Sequence, residues 1–233
     1  MNTTPPNHPT RILVVGRSPS VLVDTVDILR AKGYTANATN QFDRVVDDYD
    51  AENLDMVVFG GMVPPDTKEH LRQEIGGRNP QVTFVQGLAG MAGLIAAQIE
   101  GVLSSSEPDD TDLVYDTGQR TVHLTLHQPA QVRVEAWWGT SFTPPEPKST
   151  SLVVQDATLN AGSHSIPLPA EIPSVASFIA VTVGAAVRTF TVGPMPQSVL
   201  NLVPGAGNGA GAGPTPSSPL SPVREVNTGA HER

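Results

Sequence analysis

The chain contains no cysteine, which excludes disulfides, thiol nucleophiles and zinc-thiolate centres at once. Aromatic residues make up only 5% of its 233 positions. Basic charge is also scarce: 14 Lys and Arg stand against 23 Asp and Glu, a formal net charge of −9. Nucleic acid and anionic membranes both recruit basic surfaces, so neither is expected as a partner. Long hydrophobic runs are missing as well. The most apolar window, residues 88–103, is broken by Gln98 and Glu100 and is too short for a bilayer. Residues 1–10 are polar and Pro-rich, without the basic-then-apolar order of a signal peptide. The expectation is a soluble, cytoplasmic protein.

What the chain does have is patterned. Residues 11–103 alternate short apolar runs with helical periodicity. Ile12-Leu13-Val14-Val15 reads as a strand buried on both faces of a parallel sheet. Ser18 is placed to cap the next helix, Pro19 suits its first position, and Leu22, Val26 and Leu29 form its apolar stripe before Gly33 ends it. A weak strand follows at residues 35–39, then a short acidic helix with Phe42, Val45, Val46 and Tyr49 on one side. Met56-Val57-Val58-Phe59 is the third strand, ending at Gly60-Gly61. A helix starting at Asp66 or Thr67 turns Leu71 and Ile75 inward and stops at Gly76-Gly77. Val82-Thr83-Phe84-Val85 is the fourth strand, and Met91, Leu94, Ile95, Ile99, Val102 and Leu103 mark a closing helix. Repeated units of this length demand parallel pairing with right-handed crossovers, and so an open α/β sheet.

Residues 104–112 are rich in Ser and Asp and read as a linker. Beyond them the period falls to two. Val122, Leu124 and Leu126 alternate with His123, Thr125 and His127, and Val132, Val134, Ala136 and Trp138 alternate with Arg133, Glu135 and Trp137. Further strands are expected at residues 152–154, 166–168, 178–183 and 187–192, separated by Pro/Gly turns, which gives an antiparallel β-sandwich over residues 113–194. Residues 195–233 are rich in Gly, Ala, Pro and Ser and are expected to be disordered, as are residues 1–10.

Residues 11–103 resemble the receiver domain of response regulators at three places. The run from Ile12 to Ser20 stands where receivers carry an apolar strand, two acids and a Pro. Asp55-Met56-Val57-Val58-Phe59-Gly60 ends where the phospho-accepting Asp belongs, with Pro64 four residues on. Val82-Thr83-Phe84-Val85-Gln86-Gly87 ends where receivers place Thr or Ser followed by Ala. Receiver chemistry needs a carboxylate nucleophile, acidic Mg²⁺ ligands, a hydroxyl and a Lys. Gly16 and Arg17 replace the acids, Gly60 replaces the acceptor, Gln86 replaces the hydroxyl, and no strand bearing the Lys is evident. The resemblance therefore implies a flavodoxin- or receiver-like fold, complete or truncated before its fifth unit, without phosphotransfer. Residues 113–194 resemble, more loosely, the small Ig-like modules of bacterial hook-capping and surface-associated proteins, with Ala161-Gly162-Ser163-His164 at the turn those modules share.

The leading expectation is a non-catalytic, phosphorylation-independent interaction or scaffold module with an unidentified protein partner and no cofactor. Trp137 is expected to point outward beside Arg133, a pairing of residue types enriched at binding hot spots, although burial of that face by the other domain explains it equally well. The alternative is a nucleotide or small-anion site at the strand ends, in a binding protein or an enzyme. There Gly16, Gly60, Gly61 and Gly87 would admit a phosphate to the backbone, with Arg17, Ser18, Ser20 and Gln86 as polar groups. Tight strand-to-helix turns are the plainer explanation of those glycines. A metal reading fails for His123 and His127, which an extended strand holds roughly 13 Å apart. It fails also for the acids of residues 43–52, which lack calcium-loop spacing.

Overall fold

The computed structural model describes residues 9–88, 90–104, 112–141 and 148–194. The tail expected over residues 195–233, almost all of the expected linker and residues 1–8 lie outside the described residues. The chain divides into two compact units, with the boundary between Ala92 and Gly93.

In the first unit the two central apolar runs, residues 12–15 and 56–59, are buried at every position, which requires cover on both faces of the sheet. β1 (Arg11–Val15), β2 (Thr35–Thr39), β3 (Met56–Phe59) and β4 (Thr83–Gln86) form one parallel sheet in the order β2-β1-β3-β4. This is a receiver-like order, with the strand direction of winding reversing between β1 and β3. Among the described residues the sheet has no fifth strand. Leu13, Val15, Val57 and Phe59 share one face, where they pack with Val45, Tyr49, Leu71 and Ile75. Each such buried side chain contributes about 1.5–3 kcal/mol relative to exposure.

The helices α1 (Pro19–Ala31), α2 (Val45–Asp48) and α3 (Pro65–Arg78) connect the strands. α1 buries Leu22, Val26 and Leu29 as its periodicity predicts, and Gly33 leaves it at φ +90°, a conformation that favours glycine. Ser18 does occupy the N-cap position, but its hydroxyl makes no capping bond. α3 departs from expectation at both ends. It starts at Pro65, whose fixed φ suits a first helical turn. It then runs through Gly76-Gly77 to Arg78. Asn79 forms the stop instead: its backbone N–H donates to the Ile75 carbonyl, and its side-chain amide donates to the Ala51, Glu52 and Leu54 carbonyls.

The second unit carries α4 (Ala92–Ser104) from Gly93 onward and seven strands: β5 (Asp112–Asp116), β6 (Thr121–Leu126), β7 (Ala130–Ser141), β8 (Lys148–Leu159), β9 (Gly162–Pro167), β10 (Ser177–Val183) and β11 (Ala186–Thr191). They pair antiparallel in two sheets, β11-β10-β7-β8 and β5-β6-β9. Both contribute to one core. Val122, Leu124 and Leu126 from β6 meet Val132, Val134, Ala136, Ile179 and Val181 from the facing sheet. The period-two pattern thus marks the inner face of a sandwich, as alternation requires. Gly162 opens β9 at φ +130°, and the His164 ring lies 2.8 Å from the Asn160 carbonyl, which closes the expected turn.

Candidate functional site

Parallel pairing brings the ends of β1, β3 and β4 side by side, and with them three of the strand-end glycines. A Cβ added to Gly60 would lie 3.4 Å from Gly16 Cα and from the Val15 carbonyl oxygen, so the β1 and β3 ends approach closely. A Cβ on Gly16 would reach Leu22 Cδ2 at 3.0 Å. These glycines fit the chain against itself. Their amides are also used: Gly16 N–H donates to the Thr39 carbonyl at 3.1 Å, Gly60 to Val15 at 2.8 Å and Gly87 to Phe59 at 2.8 Å. Hydrogen bonds within the sheet therefore take the donors that a phosphate cradle would need. Gly61 has open space where a side chain would go. Arg17 is half-buried and Ser20 exposed at the start of α1.

Gln86 sits directly opposite Phe59 in the β3–β4 register and so shares its face. Its side-chain amide donates to the Phe59 carbonyl at 3.0 Å and the Gly87 carbonyl at 3.1 Å, which fixes the orientation of the group. The other end, Oε1, is buried without a partner. Ser18 Oγ is buried without a partner too.

The residue that sequence reasoning missed is Lys68. It lies in the first turn of α3, fully buried, and its Nζ has no hydrogen-bond partner. Burial lowers its pKa, and the neighbouring Arg72 lowers it further. The signal was present in the spacing: Lys68, Leu71 and Ile75 fall at i, i+3 and i+7, one inward stripe. An unpaired buried ammonium costs several kcal/mol, so its presence calls for an explanation. Arg72, one turn on, holds its guanidinium 5.2 Å from the centroid of the Phe59 ring, which in turn stacks on Phe84.

The two interaction residues belong to the second unit, both on the outer side of β7. Trp137 is buried, not exposed. Alternation assigned its side of the strand correctly, but that side faces α4 rather than solvent: a Cβ on Gly93 would lie 3.0 Å from Trp137 Cε2. Phe178 stands opposite Trp137 on β10 and is buried with it. Further along α4, the Ser104 hydroxyl accepts from the Val187 N–H at 3.2 Å. Arg133 keeps a half-exposed side chain, with Nη1 2.5 Å from Asp156 Oδ2 and Nη2 2.8 Å from Glu135 Oε2. The hydrogen bond to Glu135, ahead of the other contacts, raises its pKa.

The remaining polar clusters have local explanations. Asp50 accepts from the Glu52 N–H and the Asn53 side-chain amide, capping a short turn, and Asp48 pairs with Arg44. His123 Nδ1 is 3.0 Å from Ser165 Oγ across the β6–β9 pair. Among the described residues no group of three or more His, Asp or Glu is arranged to hold a metal ion. No helix among them is long and apolar enough to cross a membrane. No protein-family model matches the chain, and no curated protein matches it.

Proposed function

We propose that this protein is a phosphorylation-independent interaction module, built from a pseudo-receiver domain and an Ig-like β-sandwich. The reading rests chiefly on what occupies the ends of the parallel strands. Gly60 follows β3 where a receiver carries its acceptor carboxylate, flanked by Gly16 and Arg17 after β1 and by Gln86 at the end of β4. A glycine has no atom to accept a phosphoryl group, and a guanidinium repels the divalent cation that the transfer requires. A fold with its reactive corner emptied of acids retains its surfaces, and surfaces bind partners. The three- and four-stranded antiparallel sheets around one core support the Ig-like reading, since such modules serve as binding domains on many scaffolds.

The test is to incubate the full chain with Mg²⁺ and acetyl phosphate, weigh it, and cross-link it in its native cell with and without phosphatase treatment. The expected result is an unchanged mass and the same cross-linked partners in both arms. A covalent phosphate, or partners lost on dephosphorylation of this chain, would overturn the reading. A second reading, binding of a small anion near the strand ends, is favoured by one observation, the enclosed amine of Lys68.

A further inference from the structure

Lys68 and Gln86 lie on the same side of the parallel sheet. Gln86 is opposite Phe59, and Phe59 packs with Leu71 and Ile75 of the α3 stripe that begins at Lys68. α3 is the crossover between the adjacent parallel strands β3 and β4, so it runs against them. Its first turn therefore stands above the strand ends. Arg72 covers the Phe59 ring, and Gln86, paired with Phe59, closes β4 at that same level, with Lys68 one turn further towards the strand ends.

Three features there are unfavourable as they stand. The Lys68 ammonium is enclosed without a partner. A second cation, Arg72, follows it at i+4, and among the described residues no carboxylate pairs with either. Both sit on the helix half nearer its positive end, where cations are disfavoured. One species relieves all three: an anion. The unpartnered Oε1 of Gln86 adds a requirement, since its amide nitrogen is already committed to two carbonyls and only an acceptor is left to bond an incoming ion. The anion must therefore also carry a hydrogen-bond donor.

We propose that Lys68, Arg72 and Gln86 form a binding site for a small protonated oxyanion of the hydrogen-phosphate type. This rests on the small-anion reading above and assigns its ligand class. Hydrogen phosphate offers acceptor oxygens to the two cations and a P–OH to Gln86 Oε1. Sulfate, fully ionised at neutral pH, lacks the donor. Complete enclosure of the amine favours a small ion over a nucleotide.

The experiment is a thermal-unfolding titration of the full chain with inorganic phosphate or sulfate at pH 6.5, with ionic strength held constant by chloride. The wild type is expected to gain about 5 °C or more at saturating phosphate and much less with sulfate. Lys68→Met keeps the side-chain length and removes the charge. It is expected to raise Tm in phosphate-free buffer, because an unpaired charge has left the interior, and to lose the phosphate shift. A lower phosphate-free Tm for Lys68→Met, or an undiminished phosphate shift, would overturn the site. Equal responses to phosphate and sulfate would remove Gln86 and the donor requirement from it. Failure of every anion to shift the wild type, with Lys68→Met still more stable, would sink the small-anion reading while leaving the amine's isolation established.

Discussion

Gly93 of α4 lies against the indole of Trp137, so closely that a methyl group on the glycine would overlap the ring. The bare Cα lets the helix settle on the outer face of β7 and β10, where Trp137 and Phe178 are buried. Gly101 makes the same kind of approach further along, where an added Cβ would lie 2.9 Å from the Val187 carbonyl oxygen.

Gly93→Ala is therefore expected to destabilise the protein, against the gain of up to about 1 kcal/mol that alanine normally brings to a helix. Overpacking of a rigid indole costs about 1–3 kcal/mol and prevails. Urea unfolding measures the balance: a midpoint equal to or above wild type would show that the helix is not seated on Trp137. Gly101→Ala meets backbone rather than a side chain and is expected to cost at least as much.

This contact also explains where sequence reasoning stopped. The alternation of Val132, Val134, Ala136 and Trp138 made the inner face of β7 legible, and by exclusion it put Trp137 outside. What covers an outer face is a tertiary fact, and nothing in a period of two carries it. The parallel sheet was legible for the same reason in reverse, since runs such as Ile12 to Val15, apolar at every position, require cover on both faces. Strand order was not legible, nor was whether a fifth strand pairs; among the described residues none does. Nor was the end of α3, where a side-chain amide rather than Gly76-Gly77 makes the stop. Lys68 was missed because a lysine within an apolar stripe passes for a surface residue until its burial is seen.

Asn79 gives the second stability prediction. Its side-chain amide donates to three carbonyls of the segment before β3, and its Oδ1 accepts from the Gln81 N–H at 3.0 Å. Asn79→Ala removes all of these and is expected to cost about 1–3 kcal/mol in denaturant unfolding. Asn79→Asp keeps the acceptor but turns the donor into a charge facing carbonyls, and is expected to cost at least as much. A loss within experimental error for both would show that the segment before β3 holds itself.

Tyr49 makes a pH prediction. Its hydroxyl donates to the Ala38 carbonyl at 3.0 Å in a buried setting, and burial above all pushes its pKa up to about 12 from 10.0. The folded state thus holds its phenolic proton over a range where the unfolded chain has released it. The stabilisation is complete below pH 10 and is lost as pH rises from 10 through about 12. Unfolding free energy is expected to fall across that window by about 2–3 kcal/mol, and Tyr49→Phe to abolish that part of the slope. Ultraviolet titration checks the cause: burial raises Tyr115 as well, so two of the three tyrosines should ionise late, and Tyr49→Phe should remove the step near 12. A step near 12 that survives the substitution belongs to another tyrosine.

The strand ends allow the phosphotransfer argument to be tested by restoration. Gly60→Asp returns a carboxylate to the position after β3, and the added Cβ, 3.4 Å from Gly16 Cα and the Val15 carbonyl oxygen, is tolerated sterically. A carboxylate alone is not a phosphoryl acceptor. It needs a divalent cation to offset the charge of the incoming group, and the residues after β1 are Gly16 and Arg17, neither a cation ligand. The variant is expected to fold, to lose about 1 kcal/mol or less, and to show no added phosphate by mass after incubation with Mg²⁺ and acetyl phosphate. A second substitution, Arg17→Asp, supplies the missing acid and is the one from which partial phosphorylation is expected. If Gly60→Asp alone became phosphorylated, the cation would be held by groups other than those after β1, and the loss of chemistry would come down to a single residue.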